Sequence, residues 1–271
     1  MNNTVTWPAK HDVFGVRVSS TSYDEVVAKV IQAARIGQGG LVDFMDVNGL
    51  MCATGNPDHN RVYNGFDILA PDGQPVRWAL NYFNRTGLKE RVYGPETTLR
   101  VCKAAADAGV AIYLFGGLPE VLETFKAKLL EMFPKLRIAG AESPPFRPLT
   151  PEEDAAVVER INSSGAGIML LGLGAPKQET FAFNHRHSIK PVQLCVGAAF
   201  DLHAGRHKMA PAWMQRNGLE WIFRLCQEPG RLWKRYLVRN MRYLALFARE
   251  ALVRRRPRKA MSYQLPVASY Q

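Results

Sequence analysis

The sequence predicts an α/β fold in which helices cover both faces of a parallel sheet, with a basic helical appendage at the C-terminus. Two observations support this prediction. Short apolar runs typical of buried strands alternate with segments of helical spacing, which is the pattern of parallel strands joined by crossover helices. The excess of positive charge lies entirely in the C-terminal part. The 271 residues therefore divide into an α/β core, residues 1–205, and a basic, aromatic appendage, residues 206–271.

Six short apolar runs bounded by glycine, proline or polar residues are predicted to be strands. They are Leu41–Val47, Asp67–Ala70, Ala111–Phe115, Arg137–Ala141, Gly167–Leu171 and Gln193–Val196. A Pro71-Asp72-Gly73 turn ends the second run. The residues before about Gly15 show no such pattern and are predicted to form a loose arm.

Helices are predicted where apolar residues recur at helical spacing. The clearest is Pro119–Phe133, whose apolar side chains share one face. Gln74–Phe83 and a segment that begins at Lys177 have similar spacing. Thr150 is predicted to begin another helix, because Glu153 follows three residues later and completes a capping box.

Polar residues and glycines gather just past the predicted strands. They are Asp46, Asn48, Asp72, Gly116, Gly117, Gly172, Gly174, Lys177, Gln178, Gly197 and Asp201. The carboxyl ends of parallel strands share one edge of a sheet, and open α/β sheets bind their ligands at that edge. The sequence therefore predicts a single site there.

Two of the strand-to-helix transitions are rich in glycine, Leu114–Glu120 and Leu171–Glu179. Glycine lets the backbone approach a ligand, and the free N–H groups at the start of the next helix bind phosphate. Two such loops fit a diphosphate. Neither loop has the spacing of a dinucleotide fingerprint or a P-loop, so tight packing of strand against helix is an equal alternative.

Asp72 lies in a Pro-Asp-Gly turn, where aspartate is common for purely local reasons. Its place at the shared edge also fits a general base that takes a proton from an attacking hydroxyl group. Asp46 and Asp201 are the other carboxylates near this edge, whereas Asp67 is expected to cap its own strand.

A metal, redox or serine-nucleophile site has little support in the sequence. There is no DxD pair for a divalent cation and no histidine or cysteine ligand spacing. His203 and His207 share a basic loop and are predicted to face solvent. Widely separated cysteines are predicted to be buried thiols in a reducing compartment. They are Cys52, Cys102, Cys195 and Cys226.

The C-terminal segment combines positive charge with aromatic residues. Between Arg206 and Lys259 lie 15 of the 35 basic and 3 of the 24 acidic residues, so this segment has a net charge of +12 and the remainder −1. Tryptophans interleaved with arginines are typical of a helix that lies on an anionic membrane. The alternatives are a solvated helix face and a nucleic-acid patch, although the segment lacks a zinc-finger, RRM or basic-zipper pattern. No apolar run approaches the roughly 20 residues of a spanning helix, and no signal peptide is expected.

From about Leu41 to Tyr236 the chain resembles the WecG/TagA/CpsF family of glycosyltransferases. The motifs that carry the resemblance are the PDG turn, ERVYGPE (Glu90–Glu96), LFGG, GLGAPKQE, VGAAFD and GLEW. The resemblance implies a Rossmann-like fold with a C-terminal appendage. It also implies an inverting enzyme that moves a sugar from a UDP-sugar to a sugar diphospho-polyprenol. Such an enzyme lies peripherally on the cytoplasmic face of the plasma membrane, and we expect it to need neither metal nor cofactor.

The resemblance also assigns roles to residues. Asp72 matches the catalytic base, and the matching substrate-pocket positions are Asn48, Arg91, Gln178 and Asp201. Expected to face the acceptor diphosphate or the membrane are Arg224, Arg231, Lys234 and Arg235. Asp46 stands where relatives often have threonine, which favours UDP-glucose as donor and β-1,4-glucosyl transfer. UDP-N-acetylmannosamine, or its uronic acid, is the alternative donor.

Two hypotheses from other classes remain at this point. One is a nucleotide-dependent oxidoreductase on the same sheet, and the other is a non-enzymatic nucleic-acid binder. The partners predicted are the UDP-sugar, the lipid-linked acceptor and an anionic membrane surface, without nucleic acid. Homo-oligomer formation is left open by the sequence.

Overall fold

A computed structural model describes residues 4–227 and 229–255 of the chain. Its strands are β1 (Lys10–Val13), β2 (Val16–Ser19), β3 (Gly40–Met45), β4 (Ile68–Pro71), β5 (Ile112–Gly116), β6 (Ile138–Glu142), β7 (Ile168–Gly172) and β8 (Val192–Cys195). Its helices are α1 (Tyr23–Ile36), α2 (Val47–Gly55), α3 (Pro57–Asn64), α4 (Gln74–Asn84), α5 (Gly94–Ala108), α6 (Pro119–Met132), α7 (Pro151–Ser163), α8 (Lys177–Asn184), α9 (Ala199–Ala204), α10 (Ala212–Arg216), α11 (Glu220–Gln227) and α12 (Pro229–Arg255).

The central sheet has six strands in the order β4-β3-β8-β7-β5-β6, and every pair is parallel. The chain passes from β3 to β4 at one side and from β5 to β6 at the other, and β7 and β8 fill the middle. This reversal of direction opens a crevice above the carboxyl ends of the strands. The predicted Rossmann-like α/β fold is confirmed.

Helices cover both faces because the inner strands are apolar on both sides. In β5, Ile112 and Leu114 belong to the hydrophobic cluster that includes α1, α5 and α6. The alternate residues Tyr113 and Phe115 belong to the opposite cluster, with α7 and α8. Successive strand residues point to opposite faces, so a continuous apolar run is what a doubly covered strand requires.

The predicted strands are all present, with their ends shifted by one or two residues. The first was predicted to reach Val47, but β3 ends earlier because Asp46 begins α2. The Oδ1 atom of Asp46 accepts a hydrogen bond from the Gly49 N–H at 2.7 Å and caps that helix. The predicted capping box at Thr150 and Glu153 is confirmed, with both reciprocal hydrogen bonds formed.

The predicted loose arm before Gly15 is wrong. Strands β1 and β2 form an antiparallel hairpin whose turn, Phe14-Gly15, has positive φ angles of 56° and 83°. Val13, Val16 and Val18 are buried in the hydrophobic cluster that also contains residues of α2 and α4. The sequence pattern failed here because β1 buries a single apolar side chain, so it shows no apolar run.

The appendage packs on the core through one side of α12. Tyr243 is buried, and its hydroxyl donates a hydrogen bond to the Pro75 carbonyl at 2.6 Å. The Phe247 ring lies 4.8 Å from the Phe83 ring. Exposed apolar side chains of the same helix are Trp233, Leu237, Val238, Met241, Leu244, Leu252 and Val253. Within residues 4–227 and 229–255, no helix is both long and apolar enough to span a bilayer.

Candidate active site

A cavity of about 1790 Å³ lies at the carboxyl edge of the sheet. The segment that follows each of the six parallel strands contributes to its wall, as the predicted convergence requires. The predicted site residues that line it are Asp46, Asn48, Asp72, Arg91, Gly116, Gly117, Gly172, Gly174, Lys177, Gln178, Asp201 and Arg224. The side chains of Arg231, Lys234 and Arg235 lie outside the described part of the structure, so their predicted contacts with acceptor or membrane stay predictions.

Asp72 follows β4 and stands at the wall of the cavity, with 16% of its side chain exposed. Its Oδ2 atom accepts a hydrogen bond from the Gly94 N–H at 3.0 Å, at the start of α5. Its Oδ1 atom is 3.8 Å from the Arg91 guanidinium. Burial raises the pKa of Asp72 to about 7, Arg91 opposes this rise, and the negative charge of Glu220 adds to it. A carboxylate that gains a proton near neutrality is suited to general-base chemistry.

Arg91 is held mainly by the appendage. Its Nη2 atom donates to Glu220 Oε2 at 2.7 Å and lies 3.3 Å from Gln215 Oε1. The guanidinium is stacked 4.3 Å from the centre of the Tyr93 ring, and the Tyr93 hydroxyl donates to Glu220 Oε1 at 2.9 Å. Arg224 is 3.5 Å from the same carboxylate. Glu220 therefore joins the appendage to the residues around Asp72.

Glu220 lies in the GLEW motif but was not among the predicted site residues. The signal was available in principle, because an acidic residue among so many basic and aromatic ones is conspicuous. Its partner could not be identified, since Arg91 is 129 residues away in the chain.

Two buried carboxyl groups at the floor of the cavity were also not among the site residues predicted from the sequence. Asp43 of β3 and Glu179 of α8 are almost fully buried and both line the cavity. Burial, and then the charge of Glu179, raise the pKa of Asp43 well above its usual value. Burial raises the pKa of Glu179 to about 7. Gln178 donates to Glu179 Oε1 at 2.9 Å, whereas Glu179 Oε2 has no partner among the described residues.

The first polar residues past β3 have different local roles. Asp46 caps α2, so its carboxylate is partly committed to the backbone. Asn48 lies in the first turn of α2, not in a loop, and is buried. Its side-chain oxygen has no hydrogen-bond partner in the part of the chain that is described, and the same holds for Gln74 at the start of α4. Both residues line the cavity and can accept hydrogen bonds from a bound ligand.

The two glycine loops combine packing with open backbone. A Cβ on Gly116 would lie 2.5 Å from the backbone of Gly172, and one on Gly172 would lie 2.8 Å from the Phe200 ring. Close packing alone accounts for these two glycines. Gly174 instead has a φ of 78°, and a Cβ there would meet nothing within 4 Å. The helices after both loops, α6 and α8, receive no side-chain cap from the described residues.

Asp201 lies in the first turn of α9, and its Oδ1 atom is 3.7 Å from Arg206. The prediction that His203 faces solvent is wrong. Its Nε2 atom is 2.9 Å from the Pro95 carbonyl, and its ring is stacked 5.8 Å from Phe125. His203 lies within α9, whose Ala199, Phe200 and Leu202 are buried, and the basic loop begins only after this helix.

The predicted buried thiols are found at Cys102 and Cys195, while Cys52 is half-buried and Cys226 is exposed. Cys226 differs because it lies on α11, which buries none of its described residues.

Comparison with known families agrees with this architecture. The fold and the site define an α/β protein of the Rossmann-like type with a large cavity at the carboxyl edge of its parallel sheet. The model of the Glycosyl transferase WecG/TagA/CpsF family matches residues 11–257, and the chain belongs to this family. It is therefore a glycosyltransferase of cell-envelope glycan synthesis, and the resemblance stated from the sequence is confirmed. The match gives no support to the oxidoreductase or the nucleic-acid binder.

Proposed function

We propose that this protein transfers a hexose, with inversion and without a metal ion, from a UDP-sugar to a monosaccharide-diphospho-polyprenol. The observation that carries the proposal is Asp72, a mostly buried carboxylate in the cavity with a pKa of about 7. The Gly94 N–H fixes its orientation through Oδ2, and Oδ1, at 3.8 Å from Arg91, is the oxygen that we assign to the substrate hydroxyl.

In the proposed reaction a hydroxyl of the acceptor sugar attacks the anomeric carbon of the donor. Asp72 takes the hydroxyl proton as the new carbon–oxygen bond forms. The bond between the anomeric carbon and the β-phosphate oxygen breaks, and the electron pair leaves with UDP. A single displacement of this kind inverts the anomeric centre.

The two glycine loops are the proposed binding site of the leaving diphosphate. The uncapped N-termini of α6 and α8 offer backbone N–H groups to negative charge. The Gly174 N–H donates to Gln178 Oε1 at 3.1 Å, so this glycine contributes open space and not a free donor, while Lys177 at the first position of α8 adds a positive charge. Fixed donors of this kind stabilise the charge that develops on a leaving group.

The carboxyl groups at the floor of the cavity favour an uncharged donor sugar over an acidic one. Asp43, Asp46 and Glu179 interact electrostatically with one another, and all three line the cavity. Carboxyl and unpaired amide oxygens accept hydrogen bonds from sugar hydroxyls. Glu179 and Asp46 raise the pKa of Asp43, and Asp46 raises that of Glu179, so negative charge is already disfavoured here and the carboxylate of a uronic acid would add to it. Between the two uncharged donors we favour UDP-glucose and β-1,4-glucosyl transfer, because Asp46 lines the cavity where relatives often have threonine. UDP-N-acetylmannosamine remains the second candidate, and its uronic acid fits least.

The appendage supports an acceptor anchored in a membrane. Arg224 lines the cavity, and Trp213, Trp221 and Trp233 expose 54%, 38% and 49% of their surface. Arginines near the reaction centre suit a diphosphate, and exposed tryptophans suit the boundary between headgroups and acyl chains. We propose that the protein lies peripherally on the cytoplasmic face of the plasma membrane.

A panel of UDP-sugars tests this proposal. Each is incubated with a monosaccharide-diphospholipid acceptor in excess EDTA, and the lipid product is identified by mass spectrometry. We expect turnover with UDP-glucose, weaker turnover with UDP-N-acetylmannosamine and the least with the uronic acid. Activity that disappears in EDTA and returns with magnesium or manganese would overturn the metal-free mechanism. Preference for the uronic acid would overturn the account of the cavity floor.

A further inference from the structure

Glu220 is the carboxylate that α11 inserts into the cavity wall. Its side chain is 13% exposed, and its two oxygens are 2.7 Å from Arg91 Nη2 and 2.9 Å from the Tyr93 hydroxyl. Gln215 of α10 approaches the same guanidinium at 3.3 Å. Side chains from two appendage helices thus converge on one arginine of the core.

Arg91 faces two carboxylates and is not shared equally between them. Its contact with Glu220 has hydrogen-bond length, whereas its contact with Asp72 is 3.8 Å. Stacking on Tyr93 fixes the plane of the guanidinium. If Glu220 lost its charge or withdrew with α11, Asp72 would be the carboxylate left to pair with Arg91.

We propose that Glu220 is a positioning residue that holds Arg91 away from Asp72, so that Asp72 can accept the substrate proton only while α11 is docked. This inference rests on the proposed role of Asp72 as the base. It assigns to the appendage a part in tuning the reaction centre as well as in binding the acceptor.

The electrostatics around Asp72 agree with this geometry. Arg91, Glu220 and Asp46 act on the pKa of Asp72, and Asp72 in turn raises the pKa values of Asp43, Tyr93 and Tyr23. Among them Arg91 is the cation, and it lowers the pKa of Asp72 while Glu220 raises it. A closer Arg91–Asp72 pair would make the carboxylate a weaker base.

Further contacts dock this part of the appendage beside Asp72. In addition to the interactions of Glu220 and Gln215 with Arg91, Gln74 donates to the Arg216 carbonyl at 3.1 Å. Gly218 packs against Gln74 and Trp78, where an added Cβ would come within 3.3 Å of each. The exposed Trp213 and Trp221 lie on the same two short helices. Contact of these helices with a membrane is therefore expected to affect the pairing of Arg91.

The test compares Glu220→Gln with the wild type in a pH profile of kcat/KM. We expect the acidic limb to move to lower pH by on the order of 1 unit, because Arg91 turns to Asp72. Adding Arg91→Gln to Glu220→Gln should move the limb back up, and Glu220→Asp should restore most of the wild-type profile. Glu250→Gln is the matched control, since it removes a half-buried appendage carboxylate that is paired with Arg254 at 2.7 Å and does not line the cavity. Its profile should match the wild type.

A second readout does not depend on turnover. Titration of the Asp72 carboxyl carbon by ¹³C NMR, assigned with Asp72→Asn, should show the same downward shift of the pKa in Glu220→Gln. An unmoved pKa in a folded Glu220→Gln variant overturns the inference, even if activity falls. A shifted pKa in a protein that transfers no sugar at all would overturn the proposed function and leave the role of Glu220 standing.

Discussion

At the scale of single residues, the site depends on how burial changes ordinary carboxylates. Asp72 stands in a turn where aspartate is common, yet its surroundings raise its pKa to about 7. Asp43 and Glu179 show that such burial is not confined to the proposed base. What distinguishes Asp72 is its combination of a raised pKa, an orienting backbone N–H and a cationic neighbour, Arg91.

The role of Asp72 predicts the behaviour of Asp72→Asn. The amide keeps the shape of the side chain but accepts a proton poorly, so we expect the turnover number to fall by on the order of a hundredfold or more. The measurement is single-turnover transfer, with circular dichroism to confirm folding. Asp67→Asn is a suitable control, because Asp67 accepts a hydrogen bond from the Leu41 N–H and does not line the cavity. Near wild-type chemistry in Asp72→Asn would remove this residue from the mechanism.

At the scale of elements, the helices of the appendage contact different parts of the core. α12 uses Tyr243 and Phe247 to cover the core, and its other side is exposed and apolar. α11 has its Glu220 paired with Arg91, which also faces Asp72, and Arg224 follows one turn later on the cavity side. Deleting the whole appendage would uncover the cluster that contains Leu50, so single substitutions are the sharper test.

Two arginines of the appendage should separate acceptor binding from membrane binding. Arg224 lines the cavity, whereas Arg249 of α12 does not. Replacing either by glutamine removes one positive charge, worth about 1 kcal/mol near an anionic surface. We expect equal, small losses of vesicle binding, and a loss of transfer for Arg224→Gln alone.

Sedimentation with anionic vesicles and a parallel transfer assay measure both effects. Trp213→Ser should weaken vesicle binding by an amount that high salt does not mask, because the indole contributes through apolar burial. Equal losses of transfer in the two arginine variants would make them general lipid anchors.

At the scale of the whole molecule, the buried carboxylates make stability depend on pH. The pKa values of Asp72 and Glu179 are about 7 in the folded protein, against ordinary values of 3.8 and 4.5. The folded state therefore binds protons that the unfolded state releases. The contribution of these two carboxyl groups to the unfolding free energy is fully present below about pH 4 and is lost as pH rises through 7.

This linkage predicts the effect of Glu179→Gln. The amide removes the cost of ionising a buried carboxyl, so we expect the unfolding free energy at pH 8 to rise by roughly 1–3 kcal/mol. At pH 4 the same variant should change it much less. Urea denaturation at the two pH values measures the difference, and Glu131→Gln on the exposed side of α6 should show no pH-dependent gain. A gain of equal size at both pH values would mean that packing, and not ionisation, is responsible.

The sequence by itself determined the sheet, the edge that carries the site and the candidate base. Buried parallel strands need continuous apolar runs, and turns need glycine, proline or aspartate, so both leave local marks in the chain. The hairpin of β1 and β2 was not predicted, because β1 buries only Val13 and therefore shows no apolar run.

Only the tertiary structure decided which residues meet. It joined Arg91 to Glu220 across 129 positions, placed Asp43 beside Glu179, and laid α12 over α2. These contacts depend on how separate elements pack, and a side chain's local sequence does not record its distant partners. The chemistry of Asp72 depends on both levels, because a local turn presents the carboxylate and distant charges set its pKa.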